Sequence, residues 1–99
     1  MVKHVILWKL KEMPETELSA VKADIKTHLE SLAGKIPGLL EIKVYTNKLD
    51  SSNVDVMLDS SFESEAALKG YAVHPDHVAV ADTYVRPFTA TRACLDFTV

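Results

Sequence analysis

Between Val2 and Leu10 the even positions carry Val2, His4, Ile6, Trp8 and Leu10, and the odd ones Lys3, Val5, Leu7 and Lys9. Both faces are apolar in the middle, which predicts a strand covered on both sides. "EMPETE" follows as a helix start: Pro14 suits a first turn, and Glu15 and Glu17 favour the positive end of the helix dipole. Leu18, Val21, Ile25, Leu29 and Leu32 then recur every three or four residues, one apolar face of a helix that Gly34 stops. From about Leu39 to Thr46, Leu40, Ile42 and Val44 alternate with Glu41, Lys43 and Tyr45, a second strand.

A polar, turn-rich "NKLDSSN" leads to a third strand from about Val54 to Phe62, with Val54, Val56 and Leu58 on one side and Asp55, Met57 and Asp59 on the other. Ser64 is placed to cap a helix containing Ala67, Leu68 and Tyr71. Pro75 opens another helical segment, with Val78, Ala81 and Val85 facing inward, and Pro87 ends it. The last strand, about Thr91 to Val99, puts Ala93, Leu95, Phe97 and Val99 on one parity and Arg92, Cys94, Asp96 and Thr98 on the other. The order β-α-β-β-α-β is that of an α+β, ferredoxin-like domain, a four-stranded antiparallel sheet with helices on one face. The helices leave one apolar sheet face without cover. On a domain this small such a face predicts a homodimer whose two sheets pack together.

Bulk properties narrow the function classes. The 99 residues make one domain, 1–99, and 47% hydrophobic content argues against disorder. The formal net charge is −3 and the basic residues are scattered, so no nucleic-acid surface is signalled. No apolar run is long enough to cross a membrane, and the interrupted N-terminal stretch lacks a cleavage-site pattern. A lone cysteine, Cys94, excludes an internal disulfide and fits a reducing cytoplasm, the expected location.

Four blocks, "KHVILWKLK", "LAGKIPGLLEIKVYTN", "FESEAALKGYAVHPDHVAVAD" and "LDF", resemble the stress-responsive A/B barrel domain family over nearly the whole chain. The middle block, with its His-Pro-x-His pair, is the most specific. The resemblance implies a ferredoxin-like protomer and a homodimer, a dimeric α/β barrel. The family includes a plant polyketide cyclase that closes its substrate by an intramolecular aldol condensation without metal or organic cofactor. Matched onto this chain, its catalytic histidine is His77, the aspartate that orients it is Asp96, its tyrosine is Tyr71, and the histidine of the first strand is His4.

These residue types suit proton transfer beside a carbonyl. A neutral histidine can remove the proton, Asp96 would fix the tautomer of His77, and the Tyr71 hydroxyl could donate to a developing enolate oxygen. His4, Trp8 and His74 are candidate ligand-binding residues. Plainer roles compete at each position. His77 could pack in its first helical turn, Tyr71 and His4 could be core residues, and His74 could be a cap. Cys94 reads as a small apolar filler. No metal site and no cofactor are expected: His74 and His77 share a spacing, but no further ligand cluster accompanies them. The expected function is binding of a small apolar or carbonyl-containing ligand between sheet and helices. The alternative is a cofactor-free cyclase, lyase or isomerase built on a His–Asp dyad.

Overall fold

The computed structural model describes every residue, Met1–Val99. Strand β1 (Val2–Leu10) leads to helix α1 (Glu15–Glu30), then β2 (Leu39–Tyr45) and β3 (Val56–Phe62). Helices α2 (Glu65–Val73) and α3 (Pro75–Val80) follow, and β4 (Thr89–Thr98) closes the chain. All pairings are antiparallel, in the spatial order β2-β3-β1-β4. The expected ferredoxin-like α+β architecture is what the chain adopts.

Period-two alternation decides which residues meet the helices. On β1, Val2, His4, Ile6, Trp8 and Leu10 are all buried. Ile42 and Val44 of β2 and Val56, Leu58 and Phe62 of β3 join them, facing Val21, Ile25 and Leu29 of α1. Leu32 and Ile36, in the turns after α1, and Tyr71 of α2 complete the core. The helices pack over β1, β2 and β3, while β4 is exposed from Ala90 to its end.

Local chemistry sets the boundaries. Ser64 accepts a hydrogen bond from the Ala67 amide at 3.1 Å, the predicted cap of α2. Past Val80 the expected helical run to Pro87 changes pitch: Ala81–Val85 forms a π-helical turn and Arg86–Phe88 a 3₁₀ turn. The third strand starts two residues later than its alternation suggested. Asp55 is occupied instead as a clamp, its Oδ2 accepting from the Leu10 amide and its Oδ1 from Lys48 Nζ, both at 2.7 Å. Edge strand β2 is closed by α1: Glu30 Oε2 accepts from the Val44 amide at 2.9 Å, and Lys26 Nζ donates to the Val44 carbonyl at 2.8 Å.

The other sheet face stays open. Leu7 lies opposite Met57 and Ala93, Val5 opposite Leu95, and Tyr45 opposite Met57, so these side chains share one surface. Leu95 is 63% and Tyr45 51% exposed.

Two glycines with positive φ give a paired test. Gly34 (φ 78°) has open space where a Cβ would stand, whereas at Gly38 (φ 79°) that Cβ would lie 2.5 Å from the Ala67 Cβ. Gly34→Ala should cost about 1–2 kcal/mol from backbone strain alone. Gly38→Ala should cost clearly more, because α2 must also move. Urea unfolding of both variants checks this, and equal losses would show that Ala67 yields freely.

Candidate functional site

Antiparallel register builds the first part of the site. His4 on β1 and Asp96 on β4 stand directly opposite each other on the helix side of the sheet. His4 Nδ1 and Asp96 Oδ1 are 2.5 Å apart. A carboxylate only accepts, so Nδ1 carries the proton and donates it, and in the neutral ring the lone pair is left on Nε2. The Ser60 hydroxyl donates to the His4 carbonyl at 2.9 Å, pinning the same residue from β3. The Cys94 thiol donates to Asp96 Oδ1 at 3.4 Å.

The second part hangs from the helices. Tyr71, 1% exposed, packs edge-on against Phe62 with ring centroids 5.0 Å apart and lies 6.0 Å from the His4 ring. The His77 ring leans on Tyr71 at 4.1 Å. His77 Nδ1 lies 3.3 Å from the Ala72 carbonyl, which can only accept, so this ring also keeps its proton on Nδ1 and its lone pair on Nε2.

Between these parts lies a cavity of about 190 Å³, lined by His4, Trp8, Tyr71, His77, Arg86 and Arg92 among others. Leu29, Leu58, Leu68 and Val85 supply apolar wall. A wider cleft of about 620 Å³ opens between α2 and β4 beside it, and His4, Leu68, Ala72 and Arg92 border both spaces. The Tyr71 hydroxyl is buried and has no hydrogen-bond partner. A buried hydroxyl without a partner costs on the order of 1–3 kcal/mol, and this one belongs to a side chain that lines the cavity.

Two expectations are corrected by this geometry. Asp96 was expected to orient His77; its carboxylate is bonded to His4 instead, because cross-strand register places those two face to face while His77 Nδ1 turns to Ala72. His74 was expected among the ligand-binding residues. It lines neither space, and its Nδ1 accepts from the Asp76 amide at 3.1 Å as the cap of α3. His4, Trp8, Tyr71 and His77 do meet in one cavity.

A family model described as the stress responsive A/B barrel domain matches residues 2–99. The chain belongs to that family. Olivetolic acid cyclase of Cannabis sativa is 29% identical over 100 residues, which span 98% of this chain and 95% of the cyclase. A dimeric protein of unknown function and ferredoxin-like fold from Bacteroides fragilis superposes with a TM-score of 0.92 at 32% identity, covering 99% of this chain and 95% of that one. Hydroxynitrile lyase from Passiflora edulis shares the fold at TM-score 0.73 and 17% identity, over 99% and 92% of the two chains.

Electrostatics sharpen the picture of this A/B barrel chain. Burial lowers the His77 pKa most; its bond to Ala72 raises it by less, and the nearby charges of Arg86 and Arg92 lower it further. His77 is therefore the neutral, proton-accepting form near pH 7. Burial alone would raise the Asp96 pKa, but the hydrogen bond and charge of His4, the Cys94 thiol and Arg92 outweigh it and hold the group below its usual value. Burial and the neighbouring Asp96 raise the Cys94 pKa, so its thiol stays protonated and is a poor nucleophile. Burial likewise raises the Tyr71 pKa, which keeps its hydroxyl a donor. Atoms of His4, Cys94 and Asp96 that could ligate a metal lie within 4.8 Å of one another. An ion there would have to displace the proton between His4 and Asp96, and it would feel the charge of Arg92.

Sequence reasoning missed Arg86 and Arg92. The second had a signal: it shares strand parity with Cys94 and Asp96, so any site reaching Asp96 along β4 would reach Arg92 too.

The lowered His77 pKa has a stability consequence. Below about pH 6.5, the ordinary histidine value, the unfolded chain binds a proton at this position that the folded chain resists. The contribution is intact above that pH and falls away on acidification towards the folded pKa. Urea midpoints measured across this range should decline more steeply for the unmodified protein than for His77→Gln. Equal slopes would show that His77 titrates normally in the fold.

Proposed function

We propose that this chain is a homodimeric A/B barrel protein that takes a small, largely apolar carbonyl compound into the cavity between its helices and sheet. The observation that carries this reading is Tyr71, which lines a mainly apolar cavity and whose buried hydroxyl has no partner within the protein. A ligand carbonyl supplies the acceptor that the protein does not. The volume fits a small molecule: drug-sized ligands occupy pockets of about 300–1,000 Å³, and this cavity is smaller. Trp8 and the leucines would hold the apolar body, with His4 and His77 beside the polar end.

The open sheet face supports the dimer. Val5, Leu7, Met57, Tyr45 and Leu95 form an apolar surface that a second sheet would cover, and several solved proteins of this fold are described as dimeric. Leu95→Glu should shift the protein to a monomer in analytical ultracentrifugation; an unchanged dimer would place the interface elsewhere.

A second reading, favoured by the state of His77, is a cofactor-independent cyclase, lyase or isomerase. His77 would take a proton from the carbon next to the carbonyl through Nε2, and Tyr71 would donate to the enolate oxygen. Asp96 then serves through His4: the paired imidazole stands in the same cavity and would stabilise charge or pass a proton. Arg86 and Arg92 would favour the anion that forms. The relative that is a cyclase adds support for this class.

Tyr71→Phe separates function from packing. Removing an unsatisfied hydroxyl should leave stability unchanged or raise it by about 1 kcal/mol, while binding of a small ketone such as cyclohexanone, followed by NMR, weakens severalfold. A marked loss of stability with binding unchanged would mean that the hydroxyl serves the fold alone. For the enzymatic reading, the protein in D₂O should speed exchange of the α-protons of such a ketone, and His77→Ala should abolish that acceleration.

A further inference from the structure

Arg92 carries a charge that no ion pair within the chain engages. The ion pairs of the chain are Lys3–Asp59, His4–Asp96, Lys26–Glu30, Lys43–Glu41, Lys48–Asp55 and Arg86–Asp82. Arg92 is in none of them. Asp96, four residues further along the same strand face, feels that charge, but its Oδ1 is already engaged by His4 and Cys94. Arg92 borders the inner cavity and the outer cleft at once, so it stands where the two spaces join. The inner cavity presents two guanidinium groups and no carboxylate among its lining residues. Arg86 is paired with Asp82, which leaves Arg92 as the planar donor fork without an ion-pair partner at the mouth.

We propose that the ligand of this cavity carries, besides the carbonyl that meets Tyr71, a single carboxylate, held by Arg92 at the mouth, with its apolar body in the inner cavity. This rests on the cavity being a ligand site, as argued above, and adds the charge class of the ligand. One fork matches one carboxylate through two parallel N–H···O bonds, and the outer cleft, where Lys69 and Arg92 stand against Glu65 and Asp96, offers no excess of positive charge for a dianionic phosphate. The apolar body is limited by space: an apolar cavity of about 150 Å³ accommodates a benzene ring, so the inner space holds a body of about six carbons. The positive charge also reaches the polar groups beside the ligand. Arg92 disfavours the charged form of His77 and favours the charged form of Asp96. Binding an anion at Arg92 would offset that influence, so occupancy of the mouth would tune the basicity of the histidine deeper in.

Hexanoate and its uncharged amide, hexanamide, are the probes. NMR titration at pH 7 should show the unmodified protein binding hexanoate at least about tenfold more tightly than hexanamide. Arg92→Gln, on an exposed strand, should remove that preference, so that the ratio of hexanoate to hexanamide affinity falls to about one. Arg92→Lys should keep part of it, since charge remains and the fork does not. Hexanamide binding with no preference for hexanoate would overturn the Arg92 assignment and leave the cavity reading standing. A preference that survives in Arg92→Gln would do the same. Binding of neither probe by the unmodified protein would overturn both.

Discussion

The pairing of β1 with β4 is the constraint on which the site depends. Strand β1 is one of the two inner strands of the sheet, and its register against β4 sets His4 opposite Asp96 and Trp8 opposite Arg92. A slip of one residue would turn His4 and Trp8 to the far face, away from Tyr71 and His77, and the cavity would lose its floor. The helices do not hold β4 in place, since they pack over the other strands. Backbone pairing and the His4–Asp96 hydrogen bond tie it instead, so the same bond that shapes the polar end of the cavity also fastens an exposed strand to the sheet.

The two edges of the sheet are treated differently. At β2, Lys26 and Glu30 reach across from α1 and satisfy the backbone of Val44, which closes that edge to further pairing. At β4 nothing from the helices does this. The cleft between α2 and β4 is the result, and His4 and Arg92 border it. An incompletely covered strand gives weaker packing there, and in return the polar residues of its inner face remain within reach of small molecules.

Much of the fold was legible because it rests on short-range periodicity. Even-numbered residues of β1, the three-and-four spacing of α1, and the caps at Ser64 and His74 each declare themselves within a few residues. The site was legible only in part. His4, Tyr71 and His77 were identified through the family resemblance, and they share one cavity. The partner of Asp96 was not legible, because choosing between His4 and His77 requires a register spanning 92 residues of sequence. Arg92 was passed over for a related reason: as one polar residue in an alternating strand it resembles any solvent-facing arginine, and only the missing helix above β4 makes it a wall of the cavity. Its unpaired state could be seen only once every acidic group had been placed.

Trp8 gives the cavity an optical property. It is the only tryptophan of the chain, 4% exposed, and it forms part of the cavity wall. Indole emission depends on the polarity around the ring, and Tyr71 and the histidines are its neighbours in the lining. The protein therefore carries a built-in fluorophore at the place where solvent and guest would exchange, with no other indole to obscure it. Its emission would distinguish a wet, empty interior from a filled one and from an unfolded chain.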